Sequence, residues 1–142
     1  MDDNLENKFT RYLKNIYSTI PEIKCQHCNM CCGPIIWFEP EETLIREYMK
    51  RKKIKRIVWT TEEFKKNNMK CPYLIKDRCI IYPVRPMVCR LQGNIIELRC
   101  KFSINCNFMS HDELKKIQKK FIKLIKKMNG LNSFYSTHII TN

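Results

Sequence analysis

The chain has 142 residues, a length typical of one domain, and its three glycines and six prolines argue against a long flexible linker. Hydrophobic residues make up 44% of the chain and aromatic residues 11%, which favours a packed core over disorder. Lysine and arginine total 27 against 14 acidic residues, and this net charge of +13 suits anionic partners. Neither a secretory signal nor a run of about 20 apolar residues is present, so we expect a cytoplasmic protein without a membrane span.

The first half of the chain alternates helical and extended patterns. Apolar residues at three- and four-residue spacing predict a helix over residues 4–20. A buried strand is predicted over residues 35–38, and a helix is predicted over residues 40–52. A second strand is predicted over residues 55–59, followed by a short helix that begins with capping-box spacing at Thr60.

The second half contains a hairpin pattern and a long helix. Residues 73–82 predict two short strands around a turn, and residues 95–98 predict another strand. A capping box at Ser110 begins an amphipathic helix over residues 111–128. We therefore predict a small single domain of the α+β class, with short strands and turns built around a cysteine-rich module and flanked by amphipathic helices.

Nine cysteines are the strongest functional signal in the sequence. Disulfides are rare in a reducing cytoplasm, so this density of thiols indicates metal ligation rather than a disulfide scaffold. Two-residue gaps in the first group turn consecutive thiolates toward one point. The first group consists of Cys25, Cys28, Cys31 and Cys32. The second group consists of Cys71, Cys79 and Cys89, with Cys100 and Cys106 downstream.

The identity of the metal and the number of centres are open on spacing alone. Cys31 and Cys32 are neighbours, and adjacent side chains diverge in most backbone conformations. We therefore expect them to serve different metals, or different irons of one cluster, and we predict more than one metal centre. The crowded spacing and the Cys71-Pro72 step favour an iron–sulfur cluster. Two closed tetrahedral zinc sites fit a set of eight ligands equally well.

These motifs resemble those of a known family. They are Cys25-x2-Cys28-x2-Cys31-Cys32, then Cys71-Pro72-Tyr73-Leu74, and then Cys79-x-Ile81-Tyr82-x-x-Arg85-Pro86-x-x-Cys89-Arg90. Over residues 25–106 the chain resembles the YkgJ or CxxCxxCC family of proposed zinc- or iron-chelating proteins. The resemblance implies eight metal ligands: Cys25, Cys28, Cys31, Cys32, Cys71, Cys79, Cys89 and Cys106.

Two arginines complete the predicted site. Arg85 and Arg90 flank Cys89, and their guanidinium groups suit a supporting role as donors to anionic thiolates. Cys100 falls outside the eight ligands given above, and we interpret it as a buried small hydrophobe. The sequence leaves open whether Cys100 or Cys106 is the eighth ligand.

Three classes of function stay open. The chain is a metal-binding module of unassigned reaction, an iron–sulfur redox or group-transfer enzyme, or a basic adaptor that binds nucleic acid. The third class rests on two basic stretches, the run 50–56 with Lys50 and Arg56 at its ends and the helix face at residues 115–127. The same stretches suit an acidic protein partner. No catalytic motif assigns a reaction.

Overall fold

The structure, a computed structural model, describes residues 3–23, 25, 31–100, 108–128 and 134–139. The helices within these ranges are α1 (Asp3–Ser18), α2 (Glu39–Lys52), α3 (Thr61–Lys66), α4 (Met87–Leu91) and α5 (His111–Lys127), with 3₁₀ turns at Tyr82–Val84 and Ile96–Leu98. The strands are β1 (Ile36–Phe38), β2 (Trp59–Thr60), β3 (Leu74–Ile75), β4 (Arg78–Cys79), β5 (Phe134–Ser136) and β6 (His138–Ile139). This mixture of helices and short strands confirms the predicted α+β class.

Three helices build the larger apolar core. α1 packs against both α2 and α5. Leu13 and Ile16 of α1 meet Phe121 and Leu124 of α5 in one buried cluster. These residues recur at three- or four-residue spacing because one face of each helix is apolar. Among the described helices, none has both the length and the apolar character needed to cross a bilayer.

The helix starts follow the predicted capping signals. Ser110 Oγ accepts a hydrogen bond from the backbone N–H of Glu113 at 3.1 Å, and α5 begins at the residue after Ser110. Thr60 plays the same part for α3, where its hydroxyl accepts from the N–H of Glu63 at 3.3 Å. Each cap satisfies a donor that the helix leaves unpaired.

The strands of the described chain form three separate pairs. β1 pairs antiparallel with β5, β2 pairs in parallel with β6, and β3 pairs antiparallel with β4. Thr137, fully buried between β5 and β6, donates its N–H to Ile35 at 3.1 Å and accepts from the N–H of Trp59 at 2.8 Å. The C-terminal residues therefore join the two otherwise distant segments that carry β1 and β2.

Two predicted strands differ from the structure. The strand expected over residues 55–59 is reduced to Trp59–Thr60. The strand expected over residues 95–98 was wrong, because Ile96–Leu98 is a 3₁₀ turn. In that turn the N–H of Leu98 bonds locally to the carbonyl of Ile95 at 3.1 Å, and a local bond of this kind replaces the partner strand that an extended segment requires.

Glu41 is a buried carboxylate at the start of α2, with 1% of its surface exposed. It accepts hydrogen bonds from the Tyr17 hydroxyl, from the N–H of Met87 and, at 3.2 Å, from the N–H of Phe38. Three elements meet at this side chain, because Tyr17 belongs to α1, Phe38 ends β1 and Met87 begins α4. No pattern in the sequence indicates this link.

Glu42 is equally buried and faces a different set of partners. It accepts from Trp37 Nε1 at 2.6 Å and forms an ion pair with Arg56. The Arg56 guanidinium lies over the rings of Trp37 and Tyr135, 5.8 and 5.5 Å from their centroids. A buried carboxylate is tolerated only with such partners. Arg56 is therefore used in holding β1 and β5 rather than in a free basic patch.

We predict that Glu41→Gln removes a pH-dependent contribution to stability. Burial raises the pKa of Glu41 above the ordinary carboxyl value of 4.5, so the folded state holds this proton more tightly than the unfolded chain. That contribution is complete below the unfolded pKa and is lost as the pH rises through the folded pKa. The free energy of unfolding of the wild type relative to the variant should therefore be highest in acid and fall as the pH rises. Denaturant melts of both proteins at several pH values measure it.

Glu41→Ala tests the hydrogen bonds at this residue. It should lower the free energy of unfolding by about 3 kcal/mol, because two buried donors and one part-buried donor lose their acceptor. Glu47→Ala, at an exposed position of the same helix, is the matched control and should change it by less than about 0.5 kcal/mol. Two results would contradict this account of Glu41. One is an equal loss of unfolding free energy in the two alanine variants. The other is a difference in unfolding free energy between the wild type and Glu41→Gln that does not change with pH.

Candidate metal centre

A cavity of about 380 Å³ opens between the β3–β4 hairpin, α4 and the segment that precedes β1. Seven described cysteines line it: Cys25, Cys31, Cys32, Cys71, Cys79, Cys89 and Cys100. Six of them belong to the predicted ligand set. Its other two members, Cys28 and Cys106, lie outside the described residues. The cavity therefore brings together cysteines of both groups, and it adds Cys100, which was interpreted as a buried hydrophobe.

The β3–β4 hairpin positions two of these cysteines. Cys79 pairs directly with Leu74, and the carbonyl of Cys71 accepts from the N–H of Leu74 at 3.0 Å. The two loop residues, Lys76 and Asp77, have positive φ values of 49° and 63°. Such values at both loop positions are typical of a type I′ turn, which matches the twist of antiparallel strands. The hairpin predicted over residues 73–82 is thus present in a shorter form.

α4 carries the third cysteine of this group, Cys89. The N–H of Cys89 donates to the carbonyl of Pro86 at 3.0 Å, inside the first turn of the helix. The first N–H of the helix, that of Met87, donates to the buried carboxylate of Glu41. The position of Cys89 is therefore tied to the helical core through α2.

Cys31 and Cys32 lie next to each other at the cavity wall, where Cys31 is exposed and Cys32 is half-buried. Interaction between the two thiols lowers the pKa of Cys31 to about 6 and raises that of Cys32. Whether the two cysteines serve different metals, and how many centres there are, stays a prediction.

Burial and mutual repulsion disfavour simultaneous ionisation of the other thiols. Burial raises the pKa of Cys71 to about 11, and it also raises the pKa values of Cys79 and Cys89. Negative charge on Cys71 and Cys79 further raises the pKa values of Cys32 and Cys89, so these groups lie within electrostatic reach of one another. A cation that replaces the protons would relieve both the burial cost and the mutual repulsion.

The two predicted supporting arginines have different surroundings. The Arg85 guanidinium lies 4.0 Å from the centroid of the Tyr82 ring. Its positive charge partly opposes the rise that burial causes in the pKa values of Cys79 and Cys89. Arg90 lies over the ring of Tyr17 at 3.9 Å and donates to the carbonyls of Arg85 and Pro83. Arg85 thus acts on the thiols through charge, whereas the hydrogen bonds of Arg90 brace the backbone around them.

The donors suit iron or zinc in type, because thiolate is the preferred soft ligand of both zinc sites and iron–sulfur clusters. Within the described ranges, however, no three His, Cys, Asp or Glu side chains are close enough to hold a metal ion. The sulfur atoms line the walls of the cavity, and zinc–sulfur bonds of about 2.3 Å require them to move inward. The chemistry of the site therefore fits a metal, and its closure involves rearrangement of the cysteine side chains.

Asn94 is a site residue that the sequence analysis missed. It lines the cavity, and only 4% of its surface is exposed. Its side-chain amide donates to the carbonyls of Pro21 and Arg90 at 2.9 and 2.8 Å, and its own carbonyl accepts from the N–H of Met109 at 2.8 Å. The local sequence around Asn94 carries no signal of these long-range bonds.

The basic stretches lie outside the cavity lining. The α5 lysines on the solvent side are all exposed: Lys115, Lys116, Lys119, Lys120, Lys123, Lys126 and Lys127. In the run 50–56, Arg56 instead points to buried Glu42, and Arg51 lies over the Tyr48 ring at 5.5 Å. Of the two stretches, α5 therefore presents the more continuous positive face.

Residues 24–119 match the model of the CxxCxxCC family, described as a "putative zinc- or iron-chelating domain". The matched segment spans about two thirds of the chain and contains all nine cysteines. No curated protein and no solved structure matches the chain.

We predict that Lys76→Asn stabilises the hairpin that carries Cys79. A left-handed conformation costs most residues about 1–2 kcal/mol, whereas asparagine adopts it readily. The free energy of unfolding should rise by up to about 1 kcal/mol, as measured by denaturant melting. Lys76→Val should lower it instead, because a β-branched residue is strained at positive φ. Lys55→Asn, at an exposed position outside helices and strands, is the control. A stabilising Lys76→Val would contradict the turn geometry.

Proposed function

The chain belongs to the CxxCxxCC family, and on this premise we propose that it binds iron or zinc through its cysteines at the cavity between the hairpin and α4. One observation carries the proposal. Seven cysteines from well-separated parts of the chain border a single cavity. A fold that lines one cavity with several thiols, most of them at least half-buried, is accounted for if a cation occupies the space between them.

The proposed ligands are those of the family resemblance. Six of them border the cavity: Cys25, Cys31, Cys32, Cys71, Cys79 and Cys89. Cys28 and Cys106 are proposed with them on the sequence motif alone. Arg85 would stabilise the resulting anionic centre, since its charge already favours the thiolate forms of Cys79 and Cys89. Arg90 is proposed to support the centre through the backbone that it braces.

The number and spacing of the cysteines favour a polynuclear centre. Seven cysteines border the cavity, more than the four that one closed zinc site uses. The crowded spacing of the first group and the Cys71-Pro72 step favour an iron–sulfur cluster as the occupant. Two neighbouring zinc ions are the alternative.

A redox or group-transfer reaction stays a possible use of such a cluster. It requires an iron with an open coordination position and a substrate next to it. The cavity lining is largely apolar, with Ile23, Ile81 and Val88 among its walls. We propose metal binding as the function and leave the reaction unassigned.

The first test of the proposal is the metal content of protein purified without oxygen. We expect iron and acid-labile sulfide in similar amounts, with a broad charge-transfer absorption in the visible range. Zinc without sulfide would identify the alternative centre. Protein that takes up neither iron nor zinc on reconstitution would refute the proposal.

Serine variants sharpen this test. Cys71→Ser and Cys79→Ser should each lower the bound metal, and their melting temperatures should approach that of the metal-free protein, because metal binding contributes to folding. Met69→Ser is the matched control, since it removes a sulfur atom from a side chain that is 49% exposed, two residues from Cys71. Metal content that falls equally in all three variants would point to general destabilisation rather than to loss of a ligand.

Nucleic-acid binding is a second candidate, favoured by the exposed lysine face of α5. If it occurs, affinity for a polynucleotide should fall steeply with salt, and the slope of log K against log salt should drop by about 0.7–0.9 for each phosphate contact removed. Lys119→Gln, Lys120→Gln and Lys123→Gln in one protein should therefore lower the slope. Lys50→Gln, Lys52→Gln and Lys53→Gln make the matched comparison for the other stretch. Absence of binding at low salt would eliminate this candidate.

A further inference from the structure

Cys100 reaches the cavity from a segment of its own. It follows the second 3₁₀ turn, Ile96–Leu98, and its half-buried side chain borders the same space as the other six cysteines. The quoted motifs end at Cys89-Arg90, and the sequence leaves the eighth ligand undecided between Cys100 and Cys106. The position of Cys100 in the fold is the observation that distinguishes it.

The loop before Cys100 folds back on itself. Gly93 has a φ of 82°, a conformation that glycine adopts at little cost. Its N–H donates to the carbonyl of Leu98 at 2.6 Å, and the N–H of Leu98 donates to Ile95. The two bonds close a short loop after α4, and the chain that leaves this loop returns to the cavity at Cys100.

Asn94 fixes this loop relative to the rest of the site. Its side chain binds the carbonyl of Pro21, four residues before Cys25, and the carbonyl of Arg90, next to Cys89. Its backbone carbonyl binds Met109, just before α5. The buried amide therefore holds the segments on either side of the cavity at a constant distance from the loop that carries Cys100.

The side chain of Cys100 forms part of the cavity wall. It is half-buried and borders the same space as the polar side chains of Arg90, Gln92 and Asn94. Cys32, Cys71 and Cys79, three of the proposed ligands, border that space as well while they pack in the apolar cluster around Trp37 and Tyr73. A thiol that faces a space shared with six other thiols is placed as a ligand.

From this geometry we propose that Cys100 is a metal ligand of the cavity. The inference rests on the proposed function and adds to its ligand set a cysteine that the sequence had interpreted as a buried hydrophobe. On binding, the sulfur–metal bond forms as the S–H bond breaks, and the proton leaves to solvent, so the step requires no oxidant or reductant. Cys100 would supply its sulfur atom from the side of the cavity next to the loop that follows α4.

Alkylation of the wild-type chain tests the assignment. The protein is treated with N-ethylmaleimide before and after loading, with zinc alone and with iron plus sulfide, and each cysteine is quantified by mass spectrometry. We expect loading to slow modification of Cys100 by about tenfold or more, together with that of Cys71 and Cys79. Unchanged modification of Cys100 while Cys71 and Cys79 become protected would overturn this inference and leave the proposed function standing. If loading protects none of the three, both fail.

Competition with a chelator, measured on variants, distinguishes direct ligation by Cys100 from protection of Cys100 by a tighter fold. Cys100→Ser should weaken metal binding by about tenfold or more. Ile96→Ser is the matched control, because it alters a side chain that is 53% exposed in the same loop, and it should bind metal as the wild type does. Wild-type affinity in Cys100→Ser, or equal weakening in the two variants, would overturn the assignment. If Cys100→Ser does not fold, the alkylation of the wild type still decides.

Discussion

The arrangement of this fold depends on two buried carboxylates at the start of one helix. Glu41 binds groups from α1, β1 and α4, and Glu42 binds Trp37 and the Arg56 guanidinium. A carboxylate removed from water requires several donors, so each neighbouring element is held at a defined distance from α2. Because α4 carries Cys89, the same interaction that organises the helical core also places one wall of the metal cavity.

Burial of apolar side chains stabilises a fold, whereas burial of the cavity thiols costs free energy when the thiols are charged. These thiols are brought together although burial and mutual repulsion both disfavour their charged forms. In the proposed function a metal ion offsets these costs, which couples metal binding to the stability of the surrounding loops. The apolar cluster around Trp37 and Tyr73 and the bonds of Asn94 hold the walls of the cavity. The sulfur atoms remain the groups that must move when the centre closes.

The family is described as a "putative zinc- or iron-chelating domain", and two features of the structure add to that description. One is Cys100, a thiol at the cavity that follows the quoted cysteine motifs. The other is the lysine face of α5, whose apolar side packs against α1 and whose basic side is exposed. These lysines are not part of the cavity lining.

The sequence by itself determined the features that depend on local chemistry: the caps at Thr60 and Ser110, the amphipathic helices α1, α2 and α5, the hairpin and the candidate thiols. It failed where a feature depends on residues far apart in the chain. Strand pairing of β1 and β2 with the C-terminal residues, the partners of Glu41 and the position of Cys100 each require contacts across many residues. Local periodicity carries no record of such contacts, because they are selected only when the whole chain packs and every buried polar group must find its partner.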